Sequence, residues 1–574
     1  MVSGAASITL KKNGNSGQAT CARTADRDAS LPFPATLPRL RLREPFLRIP
    51  PFPGAKISLF DEAYEGGADF GGLLDNLRRL RVGGTFWAAQ PELGRDYVLV
   101  RSAAAVEVAG NCADGRKIVL WQVDGQSGSS NIPGIRGDCD PWHMLSRAAS
   151  VVVEQDDELR LIAALLDVPT HIYDPAKAEL TLDHCDAASL LTHALPVIVR
   201  NPFTGEPMPI RAAIELSGFW RKLIDSNRDI GGGLGFAFWK QDHVAPLLWN
   251  GSSSFRFFKG LSEIPAGVPV AVWRAKAPRS ALEQLEQSGR PLIEVEDGFL
   301  RSHGLGADCI PPLSVTVDRL GAHFDPSRPS DLENLLQNGD FDAELLARAR
   351  ELRAQIVEAG IGKYERGGAI LERPAGERRH ILVPGQVEDD RAVQAGGCGL
   401  TSNLELLRRV REGAPDAYIL YKPHPDVLAG HRRGAIPDRI CLQYADRIVG
   451  ELPIGSLIAI ADEVHVNTSL AGFEALLRGK AVTTHGVPFY AGWGLTRDLG
   501  PVPARRTARR TLDELVAAAL LLYPRYLDPV SGLPCPAEIV VVRLRVDEDS
   551  DPGLLVGMRR LQGKLMRRLR SLVQ

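Results

Sequence analysis

Two strand-end signatures carry residue types that could do chemistry. Glu296-Asp297-Gly298-Phe299 follows the run Ile293-Glu294-Val295, and Lys422-Pro423-His424-Pro425 follows Ala417–Tyr421. Adjacent carboxylates repel, so one can be pushed toward a pKa suited to proton transfer. An Asp-Gly turn asks for the same residues on backbone grounds alone. Two prolines fix the chain around His424, whose ring can donate to a phosphate, protonate a leaving group or pack in a turn. A third stretch, Gln386-Val387-Glu388-Asp389-Asp390, follows Ile381–Val383. Its acids suit a solvated loop, a helix start that favours negative charge, or a carboxylate that attacks a sugar. The fourth is Asn467-Thr468-Ser469-Leu470-Ala471-Gly472-Phe473-Glu474. It delivers two hydroxyls to a helix start, where unpaired amides and the dipole make an anion site. Ser469 can serve there as N-cap as well, and Gly472 lets a ligand or a loop approach closely.

Each stretch follows a strand, and ligands of open α/β sheets bind just beyond the carboxyl ends of parallel strands. From Pro269 the pattern alternates regularly: strands at Val270–Trp273 and Pro291–Val295, helices at Arg279–Ser288, Ser330–Leu336 and Phe341–Ala359. Ser330 and Glu333 have capping-box spacing, each side chain covering an orphan amide. A second series begins at His380, with strands Tyr418–Tyr421 and Glu463–Val466 and helices Asn403–Glu412, Ile454–Ala461 and Leu470–Gly479. Two successive series predict two parallel-sheet domains facing a cleft. Upstream, residues 1–55 read as a disordered and then proline-rich leader, and 56–200 as a folded α/β region. Within it, Leu145–His171 repeats the element order of Leu457–His485, as a degenerate copy would. Gly231-Gly232-Gly233-Leu234-Gly235 has neither P-loop nor dinucleotide spacing and is read as a connection into a strand.

Basic and acidic residues nearly cancel, 68 against 70, so no global field points to nucleic acid. The eight cysteines have no zinc spacing. Asp138-Cys139-Asp140 and Asp547-Glu548-Asp549 are not read as metal ligands, and no metal is expected. The start of the chain lacks secretory-signal features, and the longest apolar run, Leu515–Tyr523, is too short to span a bilayer. A cytoplasmic protein is expected. Met558–Gln574 has arginines, a lysine and leucines at helical spacing but no acid, a pattern suited to lying on anionic lipid.

Five runs in order resemble the capsule polysaccharide biosynthesis proteins of the KpsC type, which are bacterial β-Kdo transferases. They are Glu296–Ser302, Pro384–Asp390, Tyr421–Val427, Gly472–Gly479 and Pro488–Thr496, and the similarity extends from about Asn201 to Leu544. The resemblance implies a GT-B fold of two Rossmann-like domains, at 201–378 on the acceptor side and 379–525 on the nucleotide side, with 526–574 as a C-terminal segment. It implies a CMP-Kdo donor without other cofactor, a lipid-linked Kdo acceptor, and retention through a carboxylate adduct. The nucleophile falls at Asp390, with Asp389 the fallback, and Asp297 with Glu296 acts on the acceptor hydroxyl or the adduct. His424, Lys422, Thr468, Ser469, Gly472 and Glu474 hold the nucleotide phosphate. Arg301, Ser302, Gln386, Tyr490 and Trp493 contact substrate. The inner face of the inner membrane and other capsule-assembly proteins are the implied partners. A GT-B enzyme for another activated sugar, or a non-catalytic capsule-assembly or export scaffold, would keep the same motifs. Two positions depart from the family: Arg274 where it has glycine, and Arg391-Ala392 where it has Ala-Ser.

Overall fold

The structure is a computed structural model that describes residues 46–55, 70–122, 134–194, 199–252, 254–302, 310–362, 372–374, 376–430, 432–450 and 452–546. All of these belong to one compact unit beginning at Arg41. It is a mixed α/β structure with three large sheets in succession.

The C-terminal sheet is wholly parallel. Its spatial order is Arg447–Ile448, Tyr418–Lys422, His380–Pro384, Glu463–Val466, Ala481–Thr484 and Arg497–Asp498. In sequence terms this is 3-2-1-4-5-6, the doubly wound order that opens a crevice where it reverses, between the first and fourth strands. Strands buried on both faces read as near-continuous apolar runs, as Ile381, Leu382 and Val383 do at the centre of this sheet, all buried. The covering helices follow the same logic. Asn403–Gly413 is capped by Ser402 and buries Leu406, Leu407 and Val410 at helical spacing.

The middle sheet begins with parallel strands at Phe257–Phe258, Gly233–Leu234, Val270–Val272 and Leu292–Asp297. Ser314–Asp318 then pairs antiparallel with Leu292–Asp297, placing Thr316 opposite Glu296. The next strand, Pro524–Leu527, arrives from beyond the C-terminal sheet, with Pro534–Cys535 outside it. The chain therefore crosses back, and the expected boundary at 525/526 cuts through a strand. The crossing uses Leu515 to Leu520, all buried, so most of the longest apolar run is core. Among the described residues no helix is long and apolar enough to cross a membrane. These two sheets, facing each other across a cleft, form the GT-B arrangement.

The N-terminal sheet has the order Gly134–Arg136, Ile118–Gln122, Tyr97–Val100, Ala148–Val153, Thr170–Asp174 and Glu179–Leu182. This too is 3-2-1-4-5-6, with only the last pairing antiparallel. The repeated segments noted in the sequence thus supply the fourth and fifth strands of both sheets. Residues 46–55 are not leader: Phe46, Leu47 and Ile49 are buried in the core. A Cβ on Gly83, itself at φ +114°, would lie 2.2 Å from the Phe46 ring. Asp140 of the candidate metal motif is spent structurally, capping Pro141–Leu145 and pairing with Arg221 at 2.7 Å. Asp547-Glu548-Asp549 and Met558–Gln574 lie outside the described residues.

The expected capping box at Ser330 is half formed. Ser330 Oγ accepts from the Glu333 amide at 3.1 Å, but the Glu333 carboxylate pairs with Arg505 and Arg506. It ties the middle unit to the loop beyond the C-terminal sheet.

Candidate active site

The crevice of the C-terminal sheet lies where Pro384 and Val466 end neighbouring strands. Gln386 spans it: its Oε1 accepts from the Thr468 amide at 2.9 Å and its Nε2 donates to Thr468 Oγ1 at 3.0 Å. Asn403 in turn holds the Gln386 backbone, through Oδ1 to its amide and Nδ2 to its carbonyl. Ser469 caps helix Leu470–Leu477, its Oγ accepting from the Ala471 amide. This delivers two hydroxyls and the positive end of a helix to one side of the crevice. On the other side, Pro423 and Pro425 hold His424 at the start of helix Pro425–Leu428. His424 Nδ1 accepts from the Asp426 amide at 3.1 Å. In a neutral ring that acceptance puts the proton on Nε2, making it the donor. Asp390 caps Arg391–Gly396, Oδ1 accepting from the Ala392 amide at 2.9 Å.

A cavity of about 230 Å³ joins these elements to the middle sheet, lined by Asp390, His424, Thr468, Ser469 and Glu474 on one side and Asp297 on the other. Its floor is aromatic. Phe299 of the middle unit stacks on Phe489 of the C-terminal unit with centroids 4.5 Å apart, and His323 lies edge-on to both. Neither His323 nor Phe324, both lining residues, was singled out from sequence.

Asp297 is held on both carboxylate oxygens. Lys240 Nζ donates to Oδ1 at 3.0 Å, and Arg301 Nε to Oδ2 at 2.9 Å. Lys240 is buried, with Nζ 3.4 Å from the Trp273 ring centroid. Burial lowers its pKa, against the opposing pull of Asp297. Sequence reasoning missed Lys240, which starts neither a motif nor a strand; its only signal was a cation closing the aromatic run Phe236–Trp239. Glu296, next to Asp297, pairs instead with Arg391 across the cleft. Desolvation pushes its carboxyl up to about 7, with Arg391 pulling the other way. Arg391 also reaches the buried Glu294 at 3.1 Å, which takes Arg274 at 2.8 Å and Arg328 at 2.6 Å. Arg274 and Arg391 therefore meet on one carboxylate.

Several expected contacts fall elsewhere. Tyr490 and Trp493 are fully buried: the Tyr490 hydroxyl donates to the Ser469 carbonyl and Trp493 Nε1 to the Phe489 carbonyl. Both are core packing, and Tyr490 supports the helix start. Gly472 serves the same packing, since a Cβ there would lie 2.2 Å from the Tyr490 hydroxyl. Arg301 and Ser302 are buried behind Asp297, Arg301 donating to Ser302 Oγ at 2.8 Å and to the Ile310 carbonyl. Lys422 lines the cavity, but its ammonium donates to the Leu452 and Gly450 carbonyls. Gln386 lines it with its amide engaged by Thr468. Asp389 is held at 3.3 Å by Arg432, a lining residue, without lining the cavity itself, which leaves Asp390 as the acid of that run among the lining residues.

Residues 270–370 and 369–526 match the family described as capsule polysaccharide biosynthesis protein. The capsule polysaccharide modification protein LipA of Neisseria meningitidis is 38% identical over 362 residues, which cover 62% of this chain and 51% of LipA. The lipopolysaccharide-processing protein LpsZ of Rhizobium meliloti is 43% identical over 284 residues, 49% of this chain and 64% of LpsZ. The chain thus spans about half the length of LipA and under two thirds of LpsZ. A solved structure of Thermosulfurimonas dismutans KpsC, a beta Kdo 2,4 transferase, is 34% identical, covering 56% of this chain and 98% of that one with a TM-score of 0.49.

Proposed function

We propose, for a chain that belongs to the capsule polysaccharide biosynthesis proteins of the KpsC type, that it transfers Kdo from CMP-Kdo to a Kdo-terminated glycolipid with retention. The observation that carries this reading is the cavity itself. It brings Asp390, His424 and the Thr468-Ser469 helix start within one enclosure, opposite Asp297. A single phosphate leaving group asks for a few fixed donors, and the helix amides, two hydroxyls and His424 Nε2–H supply that class of group. LipA, LpsZ and KpsC supply the context of capsule and lipopolysaccharide sugars.

In the first step an Asp390 carboxylate oxygen bonds to the anomeric carbon. The bond from that carbon to the phosphate oxygen breaks, and CMP leaves with the electron pair toward the helix start and His424. In the second step the acceptor hydroxyl attacks the same carbon and Asp390 departs as carboxylate, so two inversions give retention. The hydroxyl proton goes to Glu296, whose raised pKa suits a base near neutrality. Asp297, pinned by Lys240 and Arg301, accepts a hydrogen bond from the acceptor and orients it. The reaction takes place on the cytoplasmic face of the inner membrane, where the glycolipid acceptor resides.

The test is incubation with CMP-Kdo and a Kdo-terminated glycolipid, followed by mass spectrometry of the lipid. One added Kdo is expected. No turnover with this donor, or turnover with another nucleotide sugar instead, would overturn the assignment.

A further inference from the structure

The arginine cluster at the cleft edge offers more donors than its acids take. Glu294 is 2% exposed, with Arg328 and Arg274 on Oε1 and Arg391 on Oε2. Arg274 also reaches Glu286 at 3.4 Å. Arg328 Nε is buried without a hydrogen-bond acceptor, with Asp325 at 3.7 Å. Arg274 and Arg328 thus hold Glu294 at short range, and Arg391 grips it at a longer one. The other partner of Arg391, Glu296, is a carboxylate that its surroundings desolvate. Arg391 stands between Asp390 and Ala392, both cavity-lining, with its guanidinium 4.9 Å from the centroid of cavity-lining Phe324. About a third of its side chain is exposed, 35%.

We propose that Arg391, backed by Arg274 and Arg328, is the subsite for the carboxylate of the acceptor's terminal sugar acid, and that Glu296 occupies it until the acceptor arrives. This rests on the transferase reading above. Kdo is a keto sugar acid, so a Kdo-terminated acceptor brings its own carboxylate, the planar partner that a guanidinium fork fits. Exchange swaps one Arg–carboxylate pair for another while Arg274 and Arg328 keep Glu294 neutralised, and the desolvated Glu296 left without Arg391 becomes a stronger base. It also releases Glu296 from Arg391 beside the incoming hydroxyl, where the proposed base is needed. The site then selects acidic acceptors over neutral ones of the same shape.

The experiment compares a Kdo-terminated acceptor with its methyl ester, for the full chain and for Arg391→Gln and Arg391→Lys. The wild-type kcat/KM should favour the free acid by at least about tenfold, the loss expected for one charge-assisted pair. Arg391→Gln should bring the acid-to-ester ratio close to one, and Arg391→Lys, which keeps the charge but not the fork, should give an intermediate ratio. Calorimetric titration of the wild type with acid and ester, without donor, should show the same preference and needs no active variant. A wild-type ratio near one, or a ratio that Arg391→Gln leaves as it was, overturns the subsite while the transferase reading stands. No transfer to either acceptor by the wild type removes that reading, and the subsite with it.

Discussion

The N-terminal and C-terminal sheets share the strand order 3-2-1-4-5-6, and so each has a crevice beside its first strand. In the N-terminal sheet the crevice is filled from within. Arg101, just past the first strand, donates to Asp157 at 3.2 Å and lies 4.2 Å over the Trp121 ring. Asp157 also accepts from the Leu159 amide at 2.9 Å, so the helix start already has a carboxylate of its own. In the C-terminal sheet the same place holds Thr468 and Ser469, and the Ser469 hydroxyl caps without charge and leaves the dipole to act on an incoming anion. Gln386 keeps the strand ends apart by bridging to Thr468. The comparison teaches that topology provides the crevice, and that the residue at the helix start decides whether it is filled or can receive a phosphate.

Asp390→Asn should break the C-terminal side of this comparison most severely. Transfer falls by at least about 10³-fold for loss of a nucleophile. The melting temperature barely moves, because asparagine also caps the helix. His424→Ala should weaken CMP binding by about 10- to 100-fold, the range for a hydrogen bond to a charged group. Calorimetry checks this, and unchanged affinity would move the phosphate elsewhere. Glu296→Gln should change the pH profile. With its carboxyl at about 7, wild-type kcat/KM falls about tenfold per unit as pH drops below that value, since the protonated acid cannot take a proton. The variant should be slower and lack that limb; persistence of the limb would assign it to another group. Arg101→Met sharpens the other side. It should leave transfer unchanged and cost about 1–3 kcal/mol of stability by stranding Asp157, read by denaturant unfolding. A loss of transfer would give the N-terminal crevice a part in the reaction.

The strand-end motifs were legible because each is local: an apolar run followed closely by polar residues, at a helix start for Asp390, His424 and Ser469. That is how Asp297, Asp390, His424, Thr468 and Ser469 could be named and how the two facing sheets could be drawn. What escaped depends on distance along the chain. Lys240 meets Asp297 from 57 positions away, and Arg391 meets Glu296 from 95. A strand at Pro524–Leu527 completes a sheet begun nearly 300 residues earlier, at Gly233. Tyr490 and Trp493 were misassigned for another reason. Aromatic side chains serve cores and binding sites alike, and only burial told that these two are core, with Tyr490 against the Ser469 turn. Residues 46–55 were misread through their prolines, which exclude helix but not a buried extended strap.

The central claim is that the carboxylate of Asp390 takes the sugar from its nucleotide. Mass spectrometry of the protein incubated with CMP-Kdo and no acceptor, followed by peptide mapping, tests it directly. A mass gain of one Kdo on the peptide at Asp390, lost in Asp390→Asn and kept in Asp389→Asn, is the predicted result. An adduct that survives Asp390→Asn and disappears in Asp389→Asn, or transfer without any adduct, would contradict it.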